Sequence, residues 1–355
     1  MNNSETKKIN CIEGLRTIGW IGIFLCHFRY SMLPNLSLFI DKTPLSFFYS
    51  GNPYVRMFFV ISGFVLSYKY FNFDISLQKI PKEMIRRYFR LMPLIFLFSL
   101  IIYIFMKLGF LKNLEVAEIT NSKTFLASFN NFEPSIFRCL KEALFNNYLI
   151  GDALYIGPLW TIKYEFLGSL LVILSVSIFK NQKIRYLFYP IFLLAYKSYF
   201  NYFIIGMIIC DLYLNQKINI FISNHKLIKA ILILTGFLLF SMTNITSEKK
   251  LDRIIFGIGI ILFFIGFINS TLMENIFGNK LMQLGGRISF SAYLIHWPII
   301  ETFSCYFVLL FYSKMDFNLL VLINCFISLF IIAFFSYFIN KYIEPLGYKF
   351  CSKFI

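Results

Sequence analysis

Arg16 and His27 are the residues with charged or proton-transferring side chains in an otherwise apolar stretch, GLRTIGWIGIFLCHF. Thr17 is the only polar residue between them. In a helix, eleven residues at about 100° each turn about 1100°, about 20° beyond three full turns, so both side chains share one face. Their positions differ by about 16 Å along the helix axis. Glu13 falls on nearly the same face, one turn before Arg16.

His27 is a candidate for chemistry because an imidazole exchanges protons near neutral pH. In a cavity that admits a hydroxyl compound, it is able to act as a general base. The alternative is a structural histidine that is hydrogen-bonded to a neighbouring helix. In either case a polar group among apolar residues needs a partner or a water-lined cavity, which favours a functional role.

Three other polar residues interrupt apolar runs. Glu165 lies in GPLWTIKYEFLGSLLV, residues 157–172, and His296 lies in GGRISFSAYLIHWPII, residues 285–300, together with Arg287. A carboxylate inside an apolar segment is costly unless it is paired, so a role for Glu165 is favoured, either orienting an imidazole or positioning a substrate hydroxyl. His296 is compatible with an interhelical hydrogen bond as well as with function. Ser62, in FFVISGFVLSYKYF, is explained first as part of a small-residue packing site.

The motif RRYFRLMP places Arg86, Arg87 and Arg90 just before an apolar stretch. One interpretation is an anchor that fixes topology or contacts lipid headgroups. The other is a site for a phosphorylated cytoplasmic ligand, because guanidinium groups match the geometry of phosphate oxygens.

These residues must be positioned by membrane helices, because 58% of the 355 residues are hydrophobic and 20% are aromatic. A soluble domain could not bury so much apolar surface. The net charge of +16 is explained by Lys and Arg in the cytoplasmic loops of a membrane protein, so no nucleic-acid partner is predicted. The seven cysteines have no CxxC spacing, so neither a zinc site nor a disulfide framework is expected.

The apolar stretches predict an all-α, polytopic membrane protein with about ten transmembrane helices. The distribution of Lys and Arg predicts that both termini are cytoplasmic. The longest loop, about 111–156, is expected outside and is too short for a separate catalytic domain. The expected spans are 14–36, 53–72, 91–110, 157–179, 184–198, 200–215, 227–243, 254–272, 287–311 and 318–340.

The order of these motifs resembles the acyltransferase 3 family, a group of membrane O-acyltransferases that modify carbohydrates and other acceptors. Arg16 and His27 form its R-x10-H pattern. The remaining similarity lies in FFVISGF, RRYFRLMP, LWTIKYE, YFIIGM, GRISFSAYLIHWP and the closing YIEP. The motifs extend over nearly the whole chain and keep the order that they have in the family.

The resemblance implies that an acyl-CoA, most simply acetyl-CoA, is the cytoplasmic donor substrate, without a tightly bound cofactor or a metal. It also implies that His27 is the essential catalytic histidine. Arg16, Arg87 and Arg90 are the residues expected to bind acyl-CoA. Glu165 matches the acid that closes the family's Trp-containing motif, and a catalytic role is assigned to it.

The resemblance further implies a carbohydrate acceptor. Some members of the family carry a soluble SGNH hydrolase-like domain, whereas residues 1–355 are expected to form a single transmembrane domain without one. Transfer would then be completed in the membrane domain or by a separate extracytoplasmic transferase partner. Lys163 and Tyr164 stand where the family more often has small or apolar residues, and Arg56 is also atypical.

The sequence therefore predicts an O-acyltransferase of the cytoplasmic (inner) membrane that acetylates a sugar hydroxyl of an envelope polysaccharide or its lipid-linked precursor. Two other classes of protein stay open. A transporter or flippase would use His27 and Glu165 as polar sites in the membrane, and a non-catalytic partner would recruit another enzyme. Further residues expected to support the site are Glu13, Ser62, Arg287 and His296.

Overall fold

The computed structural model describes residues 9–36, 43–72, 77–179, 182–195, 198–242, 249–347 and Lys349. These residues form helices and connecting turns, and no strand occurs among them. The predicted all-α fold is confirmed for this part of the chain. The ends of two expected spans, at 196–197 and 243, lie outside the described residues.

The first half of the chain contains three long helices and a series of short ones. Its α-helices are α1 Cys11–Met32, α2 Gly51–Asn72, α3 Ile80–Lys107, α4 Asn113–Thr120, α5 Ile136–Lys141, α6 Asn147–Leu149 and α7 Ile162–Ile178. Further 3-10 turns occur at Pro44–Tyr49, Leu77–Lys79, Leu126–Ser128 and Gly157–Thr161, and a π-helical turn at Glu142–Asn146.

The second half continues the helical pattern. Its α-helices are α8 Gln182–Ala195, α9 Phe200–Leu214, α10 Gln216–Asn224, α11 Lys226–Ser241, α12 Lys249–Ile268, α13 Thr271–Phe277, α14 Lys280–Arg287, α15 Ser289–Ile299, α16 Cys305–Phe311 and α17 Phe317–Phe338. Two π-helical turns, Ile300–Ser304 and Ile339–Ile343, follow α15 and α17.

Several helices are long and apolar enough to cross a membrane, so the multi-pass prediction is confirmed. Within the described part of the chain there are six of them, or seven if α9 and α10, bent by 78°, form one span. Each of the ten expected stretches coincides with a helix. However, α8, α9 and α11 have 14, 15 and 16 residues, fewer than the about 20 that cross a bilayer. The count of ten and the cytoplasmic termini stay predictions. The six helices that are long and apolar enough to cross a membrane are Cys11–Met32, Ile80–Lys107, Gly157–Ile178, Leu251–Ile268, Ser289–Phe311 and Phe317–Gly347.

The core depends on close contact between α2 and α9. A Cβ atom on Gly63 would lie 2.3 Å from the carbonyl oxygen of Phe203, and one on Gly206 would lie 2.3 Å from that of Val60. Only glycine at both positions lets the two backbones approach so closely. The packing interpretation of the Ser62-Gly63 pair is therefore correct for Gly63.

The segment 111–156 is fixed to the helical core by buried polar contacts. Asn130 donates from Nδ2 to both carboxylate oxygens of Glu301, each at 2.8 Å. The Ser122 hydroxyl donates to the carbonyl oxygen of Tyr30 in α1 at 2.7 Å. These contacts join the segment to α1 and to the π-helical turn that follows α15.

Candidate active site

Four arginines line one cavity of about 350 Å³, which we call the arginine cavity. Arg16 comes from α1, Arg87 and Arg90 from α3, and Arg287 from the end of α14. Because α3 begins before the RRYFR motif, Arg87 and Arg90 are one turn apart on the same helical face and are half-buried. Arg86 is exposed and lies outside the cavity lining.

Arg287 reaches this cavity because α14 lies directly against α1. A Cβ atom on Gly286 would lie 2.3 Å from the carbonyl oxygen of Glu13, so glycine is required for this contact. The Thr17 hydroxyl donates to the carbonyl oxygen of Met282 at 2.6 Å and joins the two helices one turn further on. The GGR sequence thus places its arginine beside the first helix.

The arginine cavity also contains carboxylates, which are engaged by neighbouring side chains. Arg16 Nη1 lies 3.2 Å from both carboxylate oxygens of Glu13. The Ser62 hydroxyl lies 3.0 Å from each carboxylate oxygen of Glu165. Glu344 accepts a hydrogen bond from Asn340 at 2.6 Å. With four arginines against three acids, the formal charge of the cavity lining is positive, as an anion-binding site requires.

His27 lines a second cavity of about 510 Å³, which we call the histidine cavity. Six aromatic side chains line this cavity, and two of them, Trp160 and Tyr199, lie side by side with ring centroids 5.2 Å apart. Arg29 is also in the lining, with its guanidinium carbon 4.6 Å from the centroid of the Tyr49 ring. The aromatic residues of the lining are Tyr30, Tyr49, Phe125, Trp160, Tyr199 and Tyr293.

The two cavities occupy successive levels of the helices and share a wall. Ile23 of α1, Val55 of α2 and Tyr293 of α15 line both. Tyr293 is held in place because its hydroxyl lies 2.7 Å from Thr161 Oγ1 and donates to the carbonyl oxygen of Pro158 at 2.5 Å. A group that passes from one cavity to the other must therefore pass this wall.

His27 is held at the histidine cavity by a second histidine. Its Nδ1 lies 2.8 Å from Nε2 of His296, and Nδ1 of His296 lies 2.6 Å from the carbonyl oxygen of Tyr293. The Trp297 ring stands almost perpendicular to the His27 ring, with centroids 5.5 Å apart, and Phe125 lies 6.0 Å away. His296 is buried, whereas His27 is partly accessible from the cavity.

The structure divides the residues singled out in the sequence into two groups. His27 and His296 meet at the histidine cavity. No hydrogen bond joins Glu165 to either histidine among the described residues, so its catalytic role stays a prediction. The other group lines the arginine cavity and consists of Glu13, Arg16, Ser62, Arg87, Arg90, Glu165 and Arg287.

The residues that separate and line the two cavities are not distinguished by the sequence pattern alone. Tyr293 stood out only as one polar residue of the GRISFSAYLIHWP motif, and Trp160 only as part of LWTIKYE. Tyr49, Phe125 and Tyr199 come from connecting segments in an aromatic-rich chain, where no spacing sets them apart. Asn340 and Glu344, close to or within the terminal YIEP motif, gave a signal that could have been used.

The side chains suited to a charged ligand are the arginines, which could hold phosphate groups of a nucleotide-containing donor. In the described part of the chain, no group of three or more His, Cys, Asp or Glu residues is arranged to hold a metal ion.

Comparison with known proteins identifies the family of this chain. The family model described as an acyltransferase domain, acyltransferase 3, matches residues 9–339. The chain therefore belongs to the acyltransferase 3 family, and it is a membrane acyltransferase. It is similar to the O-acetyltransferase PaAT-1 of Phomopsis amygdali, with 24% identity over an alignment of 351 residues. The matched region covers 81% of this chain and 68% of that protein. The comparison with solved structures gave no match. Family and relative support an O-acyltransferase over a transporter.

Proposed function

We propose that this protein transfers an acetyl group from cytoplasmic acetyl-CoA to a sugar hydroxyl of a cell-envelope polysaccharide or its lipid-linked precursor, in the cytoplasmic membrane. The observation that carries the proposal is the pair of cavities at successive levels of α1 and α2. One cavity is basic and suits a phosphorylated donor. The other presents a histidine among aromatic rings and suits an acceptor.

The donor side of the proposal rests on Arg16, Arg87, Arg90 and Arg287. Several guanidinium groups in one cavity match the phosphate groups of coenzyme A, and bidentate contacts add geometric specificity. The thioester end of the donor would extend along α1 toward the wall that contains Tyr293. This direction follows from the axial separation of about 16 Å between Arg16 and His27.

The acceptor side of the proposal rests on the aromatic lining of the histidine cavity. The apolar faces of a sugar ring pack well against aromatic rings, and a few polar groups then fix its orientation. Trp160 and Tyr199 provide such a surface, and His27 lies in the same cavity. A volume of about 510 Å³ is in the range of small-molecule sites.

The reaction then requires one proton acceptor that later becomes a proton donor. His27 Nε2 takes the proton of the acceptor hydroxyl while the hydroxyl oxygen attacks the thioester carbonyl carbon. The carbon–sulfur bond breaks, and the thiolate of coenzyme A receives the proton from His27. The products are the O-acetyl ester and free coenzyme A. Glu165 with Ser62 would organise the donor end of this path, where both line the arginine cavity.

The proposal is tested by mass spectrometry of envelope glycans from cells with and without the gene. We expect one sugar to lose the mass of an acetyl group when the gene is absent, and to regain it on complementation. Purified protein should release free coenzyme A from acetyl-CoA only when the extracted acceptor is added. Unchanged glycans, together with no acceptor-dependent release, would rule out this function.

The same assays show whether the chain needs a second protein or has no catalytic role. A separate extracytoplasmic partner is indicated if the purified protein releases coenzyme A but the acetylated glycan appears only after membrane extract is added. A non-catalytic role predicts that substitution of His27 has no effect, whereas loss of the whole protein does.

A further inference from the structure

His27 and His296 meet edge to edge. Their rings are nearly parallel, with an interplanar angle of 12°, yet the centroids are 5.1 Å apart while Nδ1 of His27 lies only 2.8 Å from Nε2 of His296. The short nitrogen–nitrogen distance and the long centroid distance exclude face-to-face stacking. A hydrogen bond between ring nitrogens has this geometry, because the N–H bond lies in the plane of its own ring.

The neighbouring carbonyl group decides which nitrogen carries each proton. Nδ1 of His296 lies 2.6 Å from the carbonyl oxygen of Tyr293, and a carbonyl oxygen only accepts. Nδ1 of His296 is therefore protonated, which leaves Nε2 of the neutral ring as an acceptor. His27 must then donate from Nδ1, and its own Nε2 keeps a free lone pair.

We infer that His296 is a positioning residue that fixes the tautomer and ring orientation of His27. The inference rests on the proposed function, because it concerns the general base of the same reaction. Among the described residues, His27 makes no hydrogen bond through Nε2. With Nδ1 engaged by His296 and the ring bordered by Trp297 and Phe125, the Nε2 edge is the one left for the acceptor.

This arrangement lets His27 take up and release a proton at Nε2 while its Nδ1–H stays bonded to His296. When His27 Nε2 accepts the proton of the acceptor hydroxyl, its Nδ1–H still donates to the lone pair on His296 Nε2. The lone pair on His296 Nε2 thus stabilises the imidazolium that forms at His27, and the Nδ1–H of His296 keeps its contact with the carbonyl oxygen of Tyr293. The proton taken up at His27 Nε2 is then returned to the leaving thiolate, and both rings recover their starting tautomers.

The tautomer of His27 can be measured without any acyl transfer. The chain has three histidines, so protein labelled with ¹⁵N-histidine gives signals from three rings: His27, His296 and the exposed His225. Protonated and unprotonated ring nitrogens have clearly different ¹⁵N shifts. We expect His27 protonated at Nδ1 at neutral pH, and a mixture of tautomers in His296→Leu. His225→Gln identifies the third ring and is a control for the substitution itself.

The kinetic test compares two substitutions of His296. The side-chain carbonyl of Gln is able to accept from His27 Nδ1, whereas Leu is not. We expect His296→Leu to lower kcat at least about tenfold with unchanged affinity for acetyl-CoA, and His296→Gln to stay within about fivefold of the wild type. A packing role would instead make both substitutions similar and would reduce protein yield.

The two readouts separate failure of this inference from failure of the proposed function. If His27 is protonated at Nε2, or its tautomer is the same in His296→Leu, the positioning role is wrong even if His27 is essential. If His27 has the expected tautomer but His27→Ala transfers acetyl groups at the wild-type rate, the proposed function of His27 is wrong. If His296→Leu fails to fold, the wild-type tautomer and the kinetics of His296→Gln still decide.

Discussion

The arginine cavity and the histidine cavity differ in the number of charged side chains in their linings although they share a wall. The first has four guanidinium groups and three carboxylates in its lining, whereas the second has six aromatic side chains around His27. The four arginines lie on α1, α3 and α14, whereas four of the six aromatic residues, Tyr49, Phe125, Trp160 and Tyr199, lie in turns between the long helices. Helices thus provide the charge, and connecting segments provide most of the aromatic surface.

This difference implies a division of the reaction between donor binding and chemistry. Substitutions in the arginine cavity should change the affinity for the donor, and those in the histidine cavity should change turnover or the affinity for the acceptor. Tyr293, Ile23 and Val55 border both cavities, so they are the residues at which the two effects should mix.

The largest effect is expected for His27→Ala. General base catalysis contributes about 10²–10⁴-fold, so kcat should fall in this range while the affinity for acetyl-CoA stays within about twofold. Release of coenzyme A measures turnover, and equilibrium binding of acetyl-CoA measures affinity. His225→Ala, at an exposed histidine, is the matched control. Weaker donor binding in His27→Ala would contradict the division between the cavities.

The next largest effect is expected for the double substitution Arg87→Ala with Arg90→Ala. A hydrogen bond to a charged group contributes about 1.5–3 kcal/mol, so affinity for acetyl-CoA should fall at least about tenfold. The loss should diminish at high salt, because screening already weakens the wild-type interaction. Arg86→Ala on the same helix is the control, since its side chain is exposed and pairs with Glu83. Equal losses in both variants would indicate a general surface-charge effect.

A smaller effect on acceptor binding is expected for Trp160→Ala and for Tyr199→Ala. Aromatic contacts contribute about 0.5–1.5 kcal/mol, which corresponds to an increase of about 2–13-fold in the KM for the acceptor. The KM for acetyl-CoA should be unchanged. Tyr312→Ala, at an exposed tyrosine outside both cavities, is the control. A change in the KM for acetyl-CoA alone would indicate that the histidine cavity binds the donor and not the acceptor.

The smallest effect on catalysis is expected from Glu142, which lies in the segment that carries Phe125 to the histidine cavity. Its side chain is 1% exposed, and Oε1 accepts from the backbone N–H groups of Leu154 and Tyr155. Burial raises the pKa of Glu142 to about 7 from its ordinary 4.5, against the lowering effect of these hydrogen bonds. A raised pKa means that the folded segment keeps a proton that the unfolded segment loses.

The free energy of unfolding of this segment should therefore fall as pH rises from about 4.5 to about 7, by at most about 3 kcal/mol. Glu142→Gln should show a weaker dependence on pH. Hydrogen exchange in this segment, with the two proteins compared at each pH, measures the difference. The acceptor KM of the wild type should rise with pH more than the donor KM. The same pH slope in both proteins would mean that Glu142 does not titrate in this range.

Much of the fold was predictable because each membrane helix is encoded by a continuous apolar stretch. The ten stretches expected from the sequence coincide with helices, and the all-α class follows from their lengths. The ends of the helices were less predictable than their order along the chain. α3 begins at Ile80, eleven residues before the expected span, and Arg87 and Arg90 therefore lie on the helix itself. Charged residues mark the end of an apolar segment but do not end the helix.

The candidate site was predictable to the extent that it lies along single helices. The spacing of Arg16 and His27 already gave their common face and axial separation. The partner of His27 could not be chosen, because Glu165 and His296 were both polar residues in apolar runs. Only the packing of α1, α2, α7 and α15 places Glu165 beside Ser62 and His296 beside His27.

The sequence by itself determined that this is a helical membrane protein with an arginine and a histidine at different depths of its first helix. Apolar length and helical periodicity are local properties, and they are readable from neighbouring residues. The tertiary structure decided that His27 meets His296, 269 residues further along the chain, and that a wall with Tyr293 divides the two cavities. Those contacts join residues that are far apart in the sequence, so they depend on which helices pack together and not on any local pattern.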